Sequence, residues 1–322
     1  MVYCLCTEGA HWRRTLHRVY TSEPGSTMNK ALGRQLKKYR IFYLMFLPVA
    51  VYFIIFSYYP FLRGLIMSFQ ENRLLGNRPF VGLANYKFVL KDSNFLSAVT
   101  NSLIIGIWDM VLYFFFSLGF ALILNELVQR TVKQTIQTIA YIPYLFSWAV
   151  IGGIWVLIFD LQGLVNQFLS IIFGTEPIFF LANPAFARPL IIAMGIWRSM
   201  GYFALLFTVA IMNIEGQLYE AARIDGASRL MQIRKIILPS LIPTMKTIIV
   251  LLSIGVLTHF DEIYVMVNPA NRRLISTLLL FVYETGILNF QTGTASAGAT
   301  LVMAGTLLIT GLMRKFIGYD KE

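Results

Sequence analysis

Apolar runs of about 20 residues or more recur along this chain, and no other feature narrows its possible folds so far. Wound as α-helix at about 1.5 Å per residue, such a run covers the roughly 30 Å of hydrocarbon in a bilayer. Backbone N–H and C=O groups inside hydrocarbon must find partners within the protein, which selects helices for these runs. Composition agrees: 57% of the 322 residues are hydrophobic and 13% are charged, where soluble domains average about 25% charged. The mean hydropathy is +0.65. The reading is an all-α polytopic membrane protein with six spans, at residues 41–61, 98–124, 136–159, 189–212, 243–267 and 295–313.

Lysine and arginine orient these spans, because loops rich in them stay cytoplasmic. With the N-terminus inside, the cytoplasmic segments collect the cluster from Arg13 to Arg40, then Arg130, Lys133, Arg223, Arg229, Arg234, Lys235, Arg314, Lys315 and Lys321. Arg73, Arg78, Lys87, Lys91, Arg188, Arg272 and Arg273 remain on the other side. Both termini are therefore predicted inside. The net charge of +11 needs no nucleic acid, since it is spread over separate loops beside an anionic leaflet.

Residues 1–35 differ in kind and read as a flexible cytoplasmic tail; an alternative is that translation starts at Met28. Cys4 and Cys6 stand near His11 and His17, but their spacing fits no closed tetrahedral metal site. No other cysteine exists, and a cytoplasmic location disfavours a disulfide.

Between the fourth and fifth spans, residues 213–242 form a polar, basic and helix-forming island. Leu218, Ala221, Ala222 and Ile224 mark the apolar side of one short helix, Asp225 and Gly226 break the chain, and Leu230, Ile233, Ile236 and Ile237 mark a second. Pro239 and Pro243 punctuate entry to the next span. Taken alone, this is as well explained by an interfacial amphipathic helix as by a docking element.

Glu220-Ala221-Ala222, then Gly226, then Ile236-Ile237-Leu238-Pro239, at this spacing and between two spans, resembles the cytoplasmic signature of the membrane-spanning subunits of binding-protein-dependent ABC importers. The Asp225-Gly226-Ala227 that follows is similar to the sugar-importer branch, and Phe80-Val81-Gly82-Leu83-Ala84-Asn85-Tyr86 looks like the family's outer-loop segment. The resemblance covers residues 36–318, which it identifies as one transmembrane domain. It implies that Glu220, Ala221, Ala222, Asp225, Gly226, Leu238 and Pro239 couple the spans to an ATPase. It further implies a second homologous permease subunit, two ATP-binding cassette subunits that hold ATP and Mg, a periplasmic or extracellular sugar-binding protein, and a bacterial inner membrane. The overall sequence is similar to permeases for oligosaccharides, among them a membrane subunit of an alginate-oligosaccharide importer, which would imply an acidic cargo.

The chain lacks the chemistry to work as an enzyme by the usual routes. It has no GxxxxGK[ST] loop to cradle a nucleotide, no Gly-x-Ser-x-Gly elbow and no His-Glu-x-x-His pair. No cofactor is expected on it. Candidate lining for a transport route comes from aromatic and polar residues within the spans, where charges are costly and usually face a cavity or a neighbouring subunit. These are Trp108, Asp109, Tyr144, Trp148, Trp197, Arg198, Ser253 and His259. Arg198 would suit a carboxylate on an acidic sugar, although Asp109, Asp261 and Glu262 would oppose one. A second constellation, Thr258, His259, Asp261 and Glu262, leaves open a membrane-embedded hydrolase. An ATP-independent secondary transporter or channel is the other alternative, although no internal repeat supports it.

Overall fold

Described in a computed structural model, residues 39–73 and 78–319 are predominantly helical. The expectations for residues 1–35 lie outside the described residues. The chain divides into two units, residues 1–63 and 64–322. The first contributes most of helix α1 (Arg40–Met67), an apolar helix 28 residues long.

The second unit contains α2 (Ala84–Lys91), α3 (Ser93–Glu126), α4 (Arg130–Leu145), α5 (Trp148–Phe159), α6 (Leu164–Phe173) and α7 (Pro184–Met212). The chain continues through α8 (Gly216–Ile224), α9 (Arg229–Ser240), α10 (Ile242–Gly255), α11 (Asp261–Met266), α12 (Arg272–Ile275), α13 (Leu278–Leu288) and α14 (Thr292–Phe316). Long helices α3 and α7 pack side by side at its centre. Phe207, Tyr113, Ile237 and Leu252 fill one core layer, Ile105, Met194, Ile263 and Leu280 a second, and Phe95, Val256, Phe281 and Ala297 a third.

Among the described residues, five helices are long and apolar enough to cross a membrane, or six if the bent pair α9 and α10 is one span. That matches the expected number, but two spans differ in form. The apolar run expected at 136–159 is broken at Phe146, where the backbone turns extended, and Ser147 caps α5 through its Oγ. The crossing stretch is instead α5 with α6, residues Trp148–Phe173. Helix α4 carries Arg130, Lys133, Gln134 and Gln137 and packs along α7. The run at 243–267 is interrupted as well: helix ends at Gly255 and resumes at Asp261.

Proline accounts for the π turns in α1 and α9. Ile54–Tyr58 is followed by Pro60 and Ile233–Ile237 by Pro239. A proline in a helix has no N–H to give and its ring crowds the carbonyl four residues back, so the preceding turn widens. Past Pro239 the axes of α9 and α10 meet at 61°. Short α13 is apolar too, but its 11 residues reach only about 16 Å.

The outer loop before α3 folds as its turn residues require. Gly82 sits at φ +58, a conformation costly for a residue with a Cβ. Buried Asn85 donates its amide to the carbonyls of Ser68 (2.9 Å) and Gln70 (2.8 Å), and Asn72 bonds Thr294 at the start of α14. Asn85→Ala would strand two carbonyls. We expect a loss of about 1–3 kcal/mol, seen as a lower unfolding temperature in detergent; an unchanged temperature would mean that water replaces the amide.

Candidate functional site

The island at 213–242 folds as two helices joined by a Schellman turn. Ala227 N–H bonds the Ala222 carbonyl (2.8 Å), Gly226 N–H bonds that of Arg223 (3.1 Å), and Gly226 adopts φ +75. No heavy atom lies within 4 Å of a Cβ built on Gly226, so glycine is needed here for its backbone angle, not for close approach. Ser228 caps α9 through Met231 N–H, and buried Gln232 donates to the Ala227 carbonyl, holding the elbow rigid. Tyr219 roots α8: burial first, and then the carboxylate of Glu126, push its phenol above the ordinary tyrosine value.

This elbow turns apolar surface outward. Ile237 and Leu241 are buried in the core beneath it, yet Ile224 is 87% exposed and Leu230 74%. Glu220 is exposed, and none of the described residues bonds its carboxylate. Large aliphatic side chains at the polar end of a membrane protein mark a surface meant to be covered.

The transport-route residues fall into two groups. Arg198 on α7 lies over the Trp148 ring (4.2 Å) and beside that of Tyr144 (5.1 Å), and it donates to the carbonyls of Tyr144 (3.4 Å) and Phe146 (3.2 Å). Those carbonyls are the ones freed where α4 stops, so the guanidinium caps the break. Tyr202, not anticipated from sequence, stacks on Tyr144 at 4.3 Å. Because its donors are engaged by the chain itself, Arg198→Ala should cost about 1–2 kcal/mol of stability and lower uptake of acidic and neutral cargo alike. Selective loss of acidic cargo at an unchanged unfolding temperature would instead make Arg198 a cargo ligand. Trp197, the next residue, is 41% exposed and lies 6.3 Å from Trp155.

The second group is interior. Asp109 is 2% exposed, and its Oδ2 lies 3.6 Å from His259 Nε2, whose other ring nitrogen pairs with Glu262. His259 belongs to the non-helical break at 256–260 and Glu262 to the first turn of α11, where the neighbouring Asp261 is exposed. Thr277 holds the break by donating to the His259 carbonyl (2.7 Å). Gly106 permits the approach, since a Cβ there would lie 2.1 Å from the Val256 oxygen. Tyr113 stands beside Asp109 and Ser199 beside Tyr113, and both were missed from sequence.

Trp108 and Ser253 join neither group. Trp108 is 53% exposed, whereas the adjacent Asp109 is buried, and Ser253 is fully buried between α10 and α14, within 3.4 Å of Thr310. Among the described residues no cluster of three or more His, Cys, Asp or Glu could hold a metal ion.

Residues 117–317 match the family described as binding-protein-dependent transport system inner membrane component. The chain belongs to that family. This inner membrane component is a multi-pass transport subunit. It is 32% identical over 298 residues to the polygalacturonan/rhamnogalacturonan transport system permease protein YteP of Bacillus subtilis, covering 89% of this chain and 92% of that one. The arabinooligosaccharides transport system permease protein AraP of the same organism is 30% identical, over 87% and 89% of the two chains. A chain in the crystal structure of a bacterial ABC transporter involved in the import of the acidic polysaccharide alginate superposes with TM-score 0.84, at 26% identity, over 91% of this chain and 100% of that one. A chain from an alginate transporter in complex with an alginate pentasaccharide-bound periplasmic protein gives 0.81 at 27%, over 88% and 95%.

Proposed function

We propose that this component is the permease subunit of an ATP-driven importer for oligosaccharides, with an acidic cargo the best-supported class. The exposed elbow of α8 and α9 carries the reading: a rigid, partly apolar knob at the cytoplasmic end of the bundle, joined through the bent α9–α10 pair to the core. A partner that grips the knob moves the spans. Glu220, Ala221, Ala222, Asp225, Gly226, Leu238 and Pro239 are its working parts. Glu220 supplies charge, the two alanines permit close approach, Gly226 sets the turn, and Leu238 with Pro239 sets the bend. The partners are a second related permease, two ATPases that bind ATP and Mg, and a sugar-binding protein on the outer side. Similarity to permeases for polygalacturonan/rhamnogalacturonan and arabinooligosaccharides and to an importer of alginate supports the cargo class.

Transport then proceeds by alternating access, in which ATP and the loaded binding protein bias the bundle only through their unequal affinity for its two states. To test this, the chain is tagged and extracted from its native membrane in mild detergent, and everything that accompanies it is identified by mass spectrometry. Recovery of a P-loop ATPase and a sister permease is the expected result. Recovery of the chain alone, monodisperse and active in uptake, would point to a secondary transporter.

A further inference from the structure

At the outward end of the bundle, away from both groups above, a cavity of about 740 Å³ opens between the start of α3 and the segment from Pro269 to Gln291. This volume lies within the 300–1,000 Å³ usual for small-molecule sites. Its wall mixes the amides of Asn94, Asn289 and Gln291 with the ring of Phe88 and the guanidinium of Arg273. Amides that bond hydroxyls, an aromatic face that meets the C–H side of a ring, and a cation together suit a sugar that bears a carboxylate.

The charges in the cavity can be assigned one by one. Arg272 pairs with Glu284, and Asp92 accepts from Asn94 N–H (2.7 Å) and Phe95 N–H (3.3 Å) as the N-cap of α3. Arg273 is exposed and has no counter-charge among the described residues. Its backbone is nevertheless fixed, because Asn101 donates to its carbonyl (3.1 Å) and to that of Ser276 (3.0 Å), while Arg188 binds Asn101 (2.8 Å) and the Leu274 carbonyl (2.9 Å). Ser102 anchors the same segment by accepting from Leu278 N–H (2.9 Å). A fixed backbone that carries an unpaired cation at a polar cavity presents the guanidinium to an anion without moving the chain, leaving only the side chain to be ordered when the ligand arrives.

Resting on the importer reading above, we infer that this outer cavity is an entry subsite that receives a uronate residue of the incoming oligosaccharide, with Arg273 on its carboxylate and Asn289 on its hydroxyls. It lies outside the route set drawn from the spans, and it confers preference for acidic over neutral cargo at the point of entry.

The test uses the full complex in proteoliposomes with its binding protein, and compares uptake of a uronate oligomer with that of the same oligomer reduced to its neutral alcohol. Arg273→Gln should lower uptake of the acidic oligomer by about ten- to a hundredfold, the usual loss of one charge-assisted hydrogen bond. Uptake of the neutral one should change less than about twofold, and Arg273→Lys should restore much of the loss. The binding-protein concentration that half-stimulates ATP turnover is measured alongside and should not move. If the wild-type complex imports both oligomers and Arg273→Gln alters neither, or alters both equally, the subsite is refuted and the importer stands. A shifted half-stimulating concentration would refute it too, making Arg273 a docking contact for the binding protein. Failure of the wild-type complex to import any sugar would refute the importer reading itself.

Discussion

Glu220→Lys should abolish ATP-driven uptake, by about a hundredfold or more, while the chain reaches the membrane at its normal level. Glu220 is exposed on α8 and bonds nothing among the described residues, and substitutions at such positions change stability by only about 0.5 kcal/mol. A folding defect is thus a poor explanation for any large loss. At an interface, by contrast, setting like charges together costs several kcal/mol, enough for the stated drop. Ile224→Asp should behave the same way, because it places a charge on a side chain that is 87% exposed here and apolar for no intramolecular reason. Uptake is followed with labelled oligosaccharide in vesicles, and abundance by blotting the membrane fraction. Full uptake by Glu220→Lys would remove this surface from the coupling path.

Asp109→Leu is expected to cost about 3–5 kcal/mol, since it breaks a buried ionic cluster from one side and leaves His259 short of a partner. The purified variant should unfold or aggregate at a markedly lower temperature. The triple replacement Asp109→Leu, His259→Leu and Glu262→Leu separates two meanings of that result. If the cluster serves only packing, removing every charge together recovers most of the stability, and uptake returns with it. Recovered stability without uptake would show that the cluster acts in the transport cycle. No loss for Asp109→Leu alone would mean that water or lipid already reaches the site.

Hydropathy reveals where helices are needed and says little of where they break. The runs at 136–159 and 243–267 are apolar on average, so summing over them hides the extended Phe146 and the non-helical stretch at 256–260. Local chemistry held the clue in the first case: Ser147 is a good N-cap set inside an apolar run. In the second, Gly255 ends the helix, and the cause lies partly across the bundle, where Gly106 admits the backbone of Val256. The elbow at Gly226 was legible because its determinants are local, a glycine between two amphipathic segments. Arg198 was not, since a cation's role depends on which carbonyls a neighbouring helix leaves free. Tyr202 and the Arg188–Asn101 brace were missed for the same reason, as each acts through residues far away in sequence.

Coupling is the claim on which the rest depends, and ATP turnover by the reconstituted complex measures it most directly. ATP turnover should be low without binding protein, rise when sugar-loaded binding protein is added, and fail to rise in the Glu220→Lys complex. Turnover that ignores both the binding protein and the sugar, or that rises equally in the Glu220→Lys complex, would contradict coupling through the α8–α9 elbow.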